Sequence, residues 1–405
     1  MPPAISSIIG KGTIVSQRDR LRLAVQEGGS RVLTMHGARL WPLLRHVAPS
    51  TVVVGHADCR DILERHDVFR VRYLERMETV SGPFILGWDP DDGPRYEIEH
   101  GWLTAAVHRG DGERLAERAR AIAEARVAEG RARGGLDVVA DLADPVIDDA
   151  IGAWFGVRTA QPTQRLDWAR SAFYGVFLNA MKVPAVLERA RAGADRLRAQ
   201  IAAAAEDCAP GDADVLARLL ASQEPDRGLD RDAAVRNLTG LVTAWVPQVS
   251  RLLPAALDTL LDREPELRAA QAAARDGDVA RVGAYLWEAA RFRCTNPLLP
   301  RNAVTEHALP SGRTIRAGAN VMAILQAAMM DPDAVDDPRR FVAGRPDAVY
   351  LHFGGGVHRC FGEHAAKVQL GEAATALLAC HGLRRAGRVR WTGPFPSGLR
   401  VALAR

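Results

Sequence analysis

Residues 350–370 read YLHFGGGVHRCFGEHAAKVQL, from Tyr350 to Leu370, and hold one cysteine, Cys360. Gly354, Gly355 and Gly356 precede it, with His358 and Arg359 between. Phe361-Gly362 and an alanine-rich run with helical character follow. A lone cysteine is most often a small buried hydrophobe. Its neighbours here favour another reading. The glycines permit backbone conformations that a Cβ forbids, and a close approach to a bound group. The unpaired N–H groups at a helix start favour an anion. A cysteine so placed is set up to be a thiolate, and a thiolate is a nucleophile or a metal ligand. The two cations beside it suit acidic groups on a cofactor.

The rest of the chain narrows the choice. It has 405 residues, 47% of them hydrophobic, with a net charge of +4. No dense basic tract occurs, so nucleic acid is not an expected partner. The five cysteines, Cys59, Cys208, Cys294, Cys360 and Cys380, are scattered and include no CxxC pair. Neither a zinc ribbon nor a disulfide framework is indicated. The first residues lack the apolar core of a signal peptide. No apolar run approaches the ~18 residues that cross a bilayer. The expectation is a cytoplasmic protein with no membrane partner.

The 31–55 segment, ending in Thr51-Val52-Val53-Val54, reads as short strands. Ala-, Arg-, Glu- and Leu-rich helical patterns then dominate. Strand-like sequence returns over 299–323 and again over 388–405. The spacing predicts one mainly α-helical domain over residues 1–405, with small sheets drawn from both ends. Within YLWEAARFR, Glu288 and Arg291 stand three apart on one helix face and can pair. Alone that is an ordinary surface ion pair. Downstream come Arg301, then MDPDAVDDPRRFVAGR with Phe341 and Arg345, then the cysteine loop.

This order of E-x-x-R, a single Arg, D-P…P-x-x-F…R and F-G-G-G-x-H-x-C-x-G resembles a bacterial cytochrome P450. The match runs through roughly the last third of the chain. LDVVADLADPVIDDAIGAWFGV in the middle is also similar to the stretch that bacterial members carry after their first long helices. The resemblance implies a mainly α fold with a small β-lobe and a haem b between two long helices. It implies Cys360 as the thiolate ligand of the iron, with Gly354 and Gly362 framing the loop and Phe353 shielding the sulfur. His358 and Arg301 match positions that meet the haem propionates, and His352 adds a further contact. Glu288, Arg291 and Arg345 match a buried network that braces the loop, which costs about 3–5 kcal/mol to break by halves. On the early helix facing the haem, His100 is the chosen contact, with Tyr96, Arg109 and Arg95 as further candidates.

The long central helix departs from the family. Bacterial monooxygenases carry A/G-G-x-D/E-T there, and the acid and alcohol relay protons during oxygen activation. This chain has NLTGLVTAWVPQVSRLLPAAL. With Ala244 on the first small residue, Pro247 and Gln248 replace the pair and Trp245 replaces a glycine. A register shifted by one puts Val246 and Pro247 there instead. Proline removes a backbone N–H and bends a helix, and glutamine does not relay a proton as an acid does. Peroxide-using relatives carry Arg-Pro there; Val246 removes that carboxylate clamp.

The resemblance implies an oxidoreductase that monooxygenates a small apolar intermediate of natural-product (secondary) metabolism, fed by a ferredoxin and its reductase. The alternative is an atypical haem-thiolate enzyme: peroxide-dependent, hydroperoxide-rearranging, dehydrating or coupling. A non-catalytic helper and a haem sensor are less favoured. Val80, Phe84, Ile85, Phe177, Met181, Val246, Leu298 and Phe395 are the expected pocket residues, and core packing is the plain alternative for each.

Overall fold

The computed structural model describes residues 16–26, 51–158, 162–209, 211, 213–392 and 395–404. Most of the strand expectation for 31–55 lies outside these residues; Val52–Val53 inside it forms a strand.

Helices dominate because the strong helix formers run in long blocks. Gly112–Arg133 and Pro184–Glu206 are the long alanine- and arginine-rich helices of the first half. Gly112–Arg133 stops at Gly134, whose φ of 78° closes the last turn in the left-handed region. The central helix Arg231–Leu261 starts where the Asp230 side chain accepts the Ala233 N–H. It continues through Pro247 and Pro254. An interior proline costs about 3 kcal/mol, and burial of almost the whole second half of this helix offsets that cost. Val279–Phe292 and Glu363–Leu378 pack beside each other, and Glu363–Leu378 also lies along Gly112–Arg133.

The sheets join distant parts of the chain. Val52–Val53, Asn320–Ala323, Leu299–Ala303 and Phe69–Arg70 form one four-stranded sheet in that order. Val52 pairs in parallel with Met322, and Arg301 pairs antiparallel with Val321. That register puts Arg301 on an inner strand. Near the C-terminus, Arg400–Ala402 lies between Gly135–Asp137 and Arg384–Arg385, and Phe395–Gly398 pairs with Arg390–Thr392. Strands thus occur in the 299–323 and 388–405 stretches that the sequence marks. Among the described residues, no helix is long and apolar enough to cross a membrane.

Candidate active site

The cysteine loop is shaped by its own backbone. The Cys360 N–H donates to the Phe353 carbonyl at 2.8 Å, closing the glycine segment into a ring. Gly354 and Gly356 have φ of +70° and +61°. At Gly356 a Cβ would also lie 2.4 Å from the Leu63 carbonyl oxygen, so sterics as well as φ demand glycine there. The helix Glu363–Leu378 follows directly, and Glu363 is held by Arg359 at 2.7 Å and by Lys367 at 2.7 Å.

Cys360 is exposed, but to a cavity of about 620 Å³ rather than to open solvent. Burial beneath that cavity pushes its thiol up to about 11, and the backbone N–H groups of Gly362 and Glu363 oppose the shift. A thiolate at this spot therefore needs a bound cation to hold it.

The bracing network is dense. Arg291 donates two parallel bonds to Glu288, at 2.9 and 2.7 Å, and neither side chain is exposed. Glu288 also accepts from Arg345 at 3.2 Å, from the Val342 N–H at 3.0 Å and from the Tyr350 hydroxyl at 3.2 Å. Burial raises the Glu288 carboxyl, but the Arg291 bonds and charge outweigh it, so the net shift is downward. The spare donors of Arg291 and Arg345 go to carbonyls of the 329–340 stretch. The helix and the irregular stretch ahead of the cysteine loop are thereby one unit.

Around the cavity, the structure brings together Arg301, His352, Phe353, Gly354, His358, Cys360 and Gly362. Their partners refine the expected roles. His358 Nε2 bonds Asp89 Oδ1 at 2.7 Å, where both side chains are nearly fully buried. Asp89 also accepts the Val71 N–H at 3.0 Å. His352 Nε2 donates to the Trp287 carbonyl at 3.0 Å, which fixes its tautomer, and burial pushes it down to about 4. His352 is thus a neutral tie between the loop and the bracing helix.

His100 does not line the cavity. It stacks on Tyr96 at 5.4 Å and meets Phe361 edge-on at 5.9 Å. The Tyr96 hydroxyl donates to the Val357 carbonyl at 2.6 Å. Arg95 pairs with buried Glu99 at 3.0 Å, and Arg109 is exposed. Two other side chains bring charge to the cavity rim, Arg72 and Arg76. Arg76 Nη1 is buried with no hydrogen-bond partner, and burial lowers this guanidinium from its usual value. Tyr73, raised by burial, is drawn back by both Arg301 and Arg76, so the three sit together. Neither Arg95 nor Arg109 lines the cavity, and the sequence signal for Arg72 and Arg76 in their stead is only their spacing after the short strand Phe69–Arg70.

The central helix faces the cavity with Leu241, Ala244, Trp245, Gln248, Val249, Arg251 and Leu252. This is one helical face. Of the two registers, it puts Gln248 on the cavity and turns both Val246 and Pro247 into the packed interior. Val246 is therefore core and not pocket. Gln248 Nε2 donates to Asn296 Oδ1 at 2.8 Å, while its Oε1 is buried without a partner. Trp245 packs so close to Gly362 that a Cβ there would sit 3.0 Å from the indole.

Of the other expected pocket residues, Ile85, Phe177 and Leu298 line the cavity. Phe84 instead packs on Gly240, and Val80 on Gly175. Met181 is turned outward, 41% exposed. Phe395 sits behind the wall, 6.0 Å from Phe173 and 5.2 Å from the Arg251 guanidinium. The helical period from Gln248 could have found Arg251, three residues on, because i and i+3 share a face.

A cavity floored by a thiol, rimmed by Arg301 and by Arg76 with its Nη1 unbonded, and walled by apolar side chains fits a planar, dianionic, iron-bearing cofactor. Residues 281–380 match the family model described as Cytochrome P450. The cyclomarin C epoxidase CymV of Salinispora arenicola is 28% identical over 357 residues, 80% of this chain and 88% of that one. The erythromycin C-12 hydroxylase of Saccharopolyspora erythraea is 29% identical over 341 residues, 82% of this chain and 81% of that one. The structure of P450BioI in complex with hexadec-9Z-enoic acid ligated acyl carrier protein shares the fold with TM-score 0.78 at 20% identity, covering 92% of this chain and 99% of that one. A mutant of P450 EryK in complex with erythromycin B does so with TM-score 0.76 at 24% identity, covering 92% and 98%. Fold and cavity are those of a haem-dependent oxidoreductase. The family-model match, the relatives and the fold together support a bacterial cytochrome P450, with haem b as its cofactor and an activity of the monooxygenase class.

Proposed function

We propose that this chain monooxygenates a small, largely apolar intermediate of natural-product metabolism, with electrons from a ferredoxin and its reductase. The observation that carries the reading is the cavity itself: a cysteine at its floor and apolar side chains such as Ile85, Phe177, Leu298 and Leu252 in its wall. The names of two relatives, a cyclomarin C epoxidase and an erythromycin C-12 hydroxylase, support a substrate of that kind.

Haem supplies oxygen activation and the insertion of one oxygen atom when it is bound. The chain's own residues hold and shield. Cys360 would hold the iron through its sulfur, and the N–H groups of Gly362 and Glu363, which bond that sulfur, would tune it. Arg301 and Arg76, which both act on the Tyr73 hydroxyl, would hold the two propionates. Phe353 keeps water from the sulfur, and the Glu288–Arg291–Arg345 network holds the loop at its height. Gln248 and Trp245 line the same cavity as Cys360 and would face what is bound there. The Gln248 amide orients groups through Nε2 and Oε1 but holds no titratable proton.

That last feature favours a second reading, peroxide-driven, rearranging, dehydrating or coupling chemistry, which asks the protein for no acid–alcohol relay. The test is turnover of candidate substrates with hydrogen peroxide alone against turnover with NADPH, ferredoxin and reductase. Product only in the reductase arm supports monooxygenation. Product only with peroxide overturns it.

A further inference from the structure

We propose that Trp245 and Trp154 form an electron path in the cavity wall, and that Trp154 gives one electron to haem that hydrogen peroxide has oxidised, keeping the resulting positive charge against Asp111. The inference rests on haem standing in the cavity above Cys360 and adds a redox role for two side chains of its wall.

Trp245, Trp154 and Phe155 all line the cavity that Cys360 floors. The Trp245 ring packs against Gly362, two residues past the cysteine. The Trp245 and Trp154 ring centroids are 5.5 Å apart. Phe155 touches both, at 4.6 Å from Trp154 and 5.9 Å from Trp245. Aromatic rings at such spacing are in direct contact, so an electron passes between them without crossing solvent. Both indoles are buried, at 3% and 6% exposure for Trp154 and Trp245.

The two indoles differ at their nitrogens, and that sets the direction. Trp245 Nε1 is buried with no hydrogen-bond partner, so a positive charge on this ring is uncompensated. Trp154 Nε1 donates to Asp111 Oδ2 at 2.9 Å. Asp111 is also gripped by Arg218 at 2.7 and 2.8 Å. Burial raises the Asp111 carboxyl, but the bonds from Arg218 and Trp154 outweigh it, and the net shift is downward. Asp111 is thus an anion, and an anion in contact lowers the cost of taking an electron from the indole. It is also a weak base, so the N–H proton stays on Trp154. Other tryptophans stand beside cations. Trp88 has the guanidiniums of Arg95 and Arg236 at 4.4 and 5.1 Å from its ring, and Trp287 has the Lys367 ammonium at 6.0 Å. A cation there opposes a second positive charge.

The electrons balance as follows from the oxidant. Hydrogen peroxide takes two electrons, and two protons from solvent, in going to two waters. The haem iron gives one electron. Trp154 gives the other, by way of Trp245, and is left as an indole short of one electron with its proton in place. Arg114, which pairs with Asp111 at 3.3 Å, is 40% exposed, so the path ends close to the surface. Oxidising power is thereby drawn away from the cysteine and the cavity.

The experiment mixes the haem-loaded enzyme, without substrate, with hydrogen peroxide, freezes it and reads the electron paramagnetic resonance spectrum. The wild type should show a tryptophan radical, narrowed when the protein carries ring-deuterated tryptophan and altered in heavy water because the N–H proton is kept. Trp154→Phe should lose the signal, and its haem absorption should bleach several-fold faster. Trp245→Phe and Asp111→Asn should each lower the radical yield. Trp102→Phe, whose indole in the wild type bonds Ser222 at 2.8 Å, is the control and should change nothing. A wild type that gives no tryptophan radical, or a radical that survives Trp154→Phe, overturns the proposal and leaves the cavity reading intact. Protein that binds no haem overturns both. If Trp154→Phe does not fold, peptide mapping of the peroxide-treated wild type decides: added oxygen concentrated on Trp154 upholds the proposal, and none there overturns it.

Discussion

Arg291 grips Glu288 through two parallel N–H···O bonds, at 2.9 and 2.7 Å, at a place with no solvent exposure for either side chain. Removing one partner strands the other charge in the interior, which costs about 3–5 kcal/mol. Glu288→Ala and Arg291→Ala should each lower the urea midpoint accordingly and give protein depleted in haem. The double variant should cost clearly less than the sum. Soluble single variants with full haem content would show the pair to be dispensable.

Gly356 turns left-handed against the Leu63 carbonyl, with room for hydrogen only. Gly356→Ala should cost about 2 kcal/mol or more, because strain at φ +61° adds to the clash. Gly110→Ala, on an open surface, is the control. Equal denaturation midpoints for the two variants would refute the loop geometry.

These loop features were readable in advance because they are local. A glycine run before a cysteine, and an i, i+3 acid–arginine pair, are fixed by backbone geometry within a few residues. The same holds for Arg301, which sits in the strand-rich 299–323 stretch. What was not readable depends on which way a side chain turns in three dimensions. Val246 is apolar and follows directly on the cavity residue Trp245, yet the helical period turns it inward. Phe84 fills the space that Gly240 leaves, which no local pattern announces. His100 has the right residue type near the right place, but the tyrosine one turn earlier captures its ring. Arg76 joins Arg301 across Tyr73 only because two segments more than two hundred residues apart share one sheet.

Cys360 is predicted to hold iron as a thiolate. The reduced carbon monoxide complex should show the thiolate-specific absorption band, and Cys360→Ser should lose it while keeping the helical circular dichroism. A wild-type band of the histidine-ligated type would remove Cys360 from its place as ligand.

His352 makes stability depend on pH. Burial holds its folded value at about 4, against an ordinary 6.5. Between those values the unfolded chain takes up a proton that the folded chain refuses, so stability falls as pH drops below 6.5. By pH 5 the loss attributable to this residue is about 2 kcal/mol. His352→Gln keeps a donor for the Trp287 carbonyl and cannot titrate. Its stability gap to the wild type should shrink by that amount between pH 7 and pH 5, measured by urea unfolding. A gap that does not change with pH would mean that His352 takes up its proton as readily in the folded protein as in the unfolded chain.

The last prediction concerns the one cavity-facing side chain where the family carries its acid–alcohol pair. Gln248 gives Nε2 to Asn296 and keeps a buried, unpartnered Oε1, so it can hold a water or a substrate group but cannot release a proton. Proton delivery from the protein should therefore be slow. With surrogate electron donors, most reducing equivalents should emerge as hydrogen peroxide. Gln248→Thr places a hydroxyl on the cavity face and leaves the prolines intact. Product formed per electron should rise if monooxygenation is the native reaction. It should stay level or fall if the native reaction uses peroxide or rearranges its substrate. Pro247→Asp is no equivalent repair: position 247 points into packed protein, and a carboxylate there is a buried charge. That variant should lose stability without gaining coupling. Tight coupling in the wild type, with a substrate that has no acidic or hydroxyl group near the reacting carbon, would mean that some other group on this helix carries the proton. Thr243, buried with a free hydroxyl one turn before Pro247, would then be the residue to change.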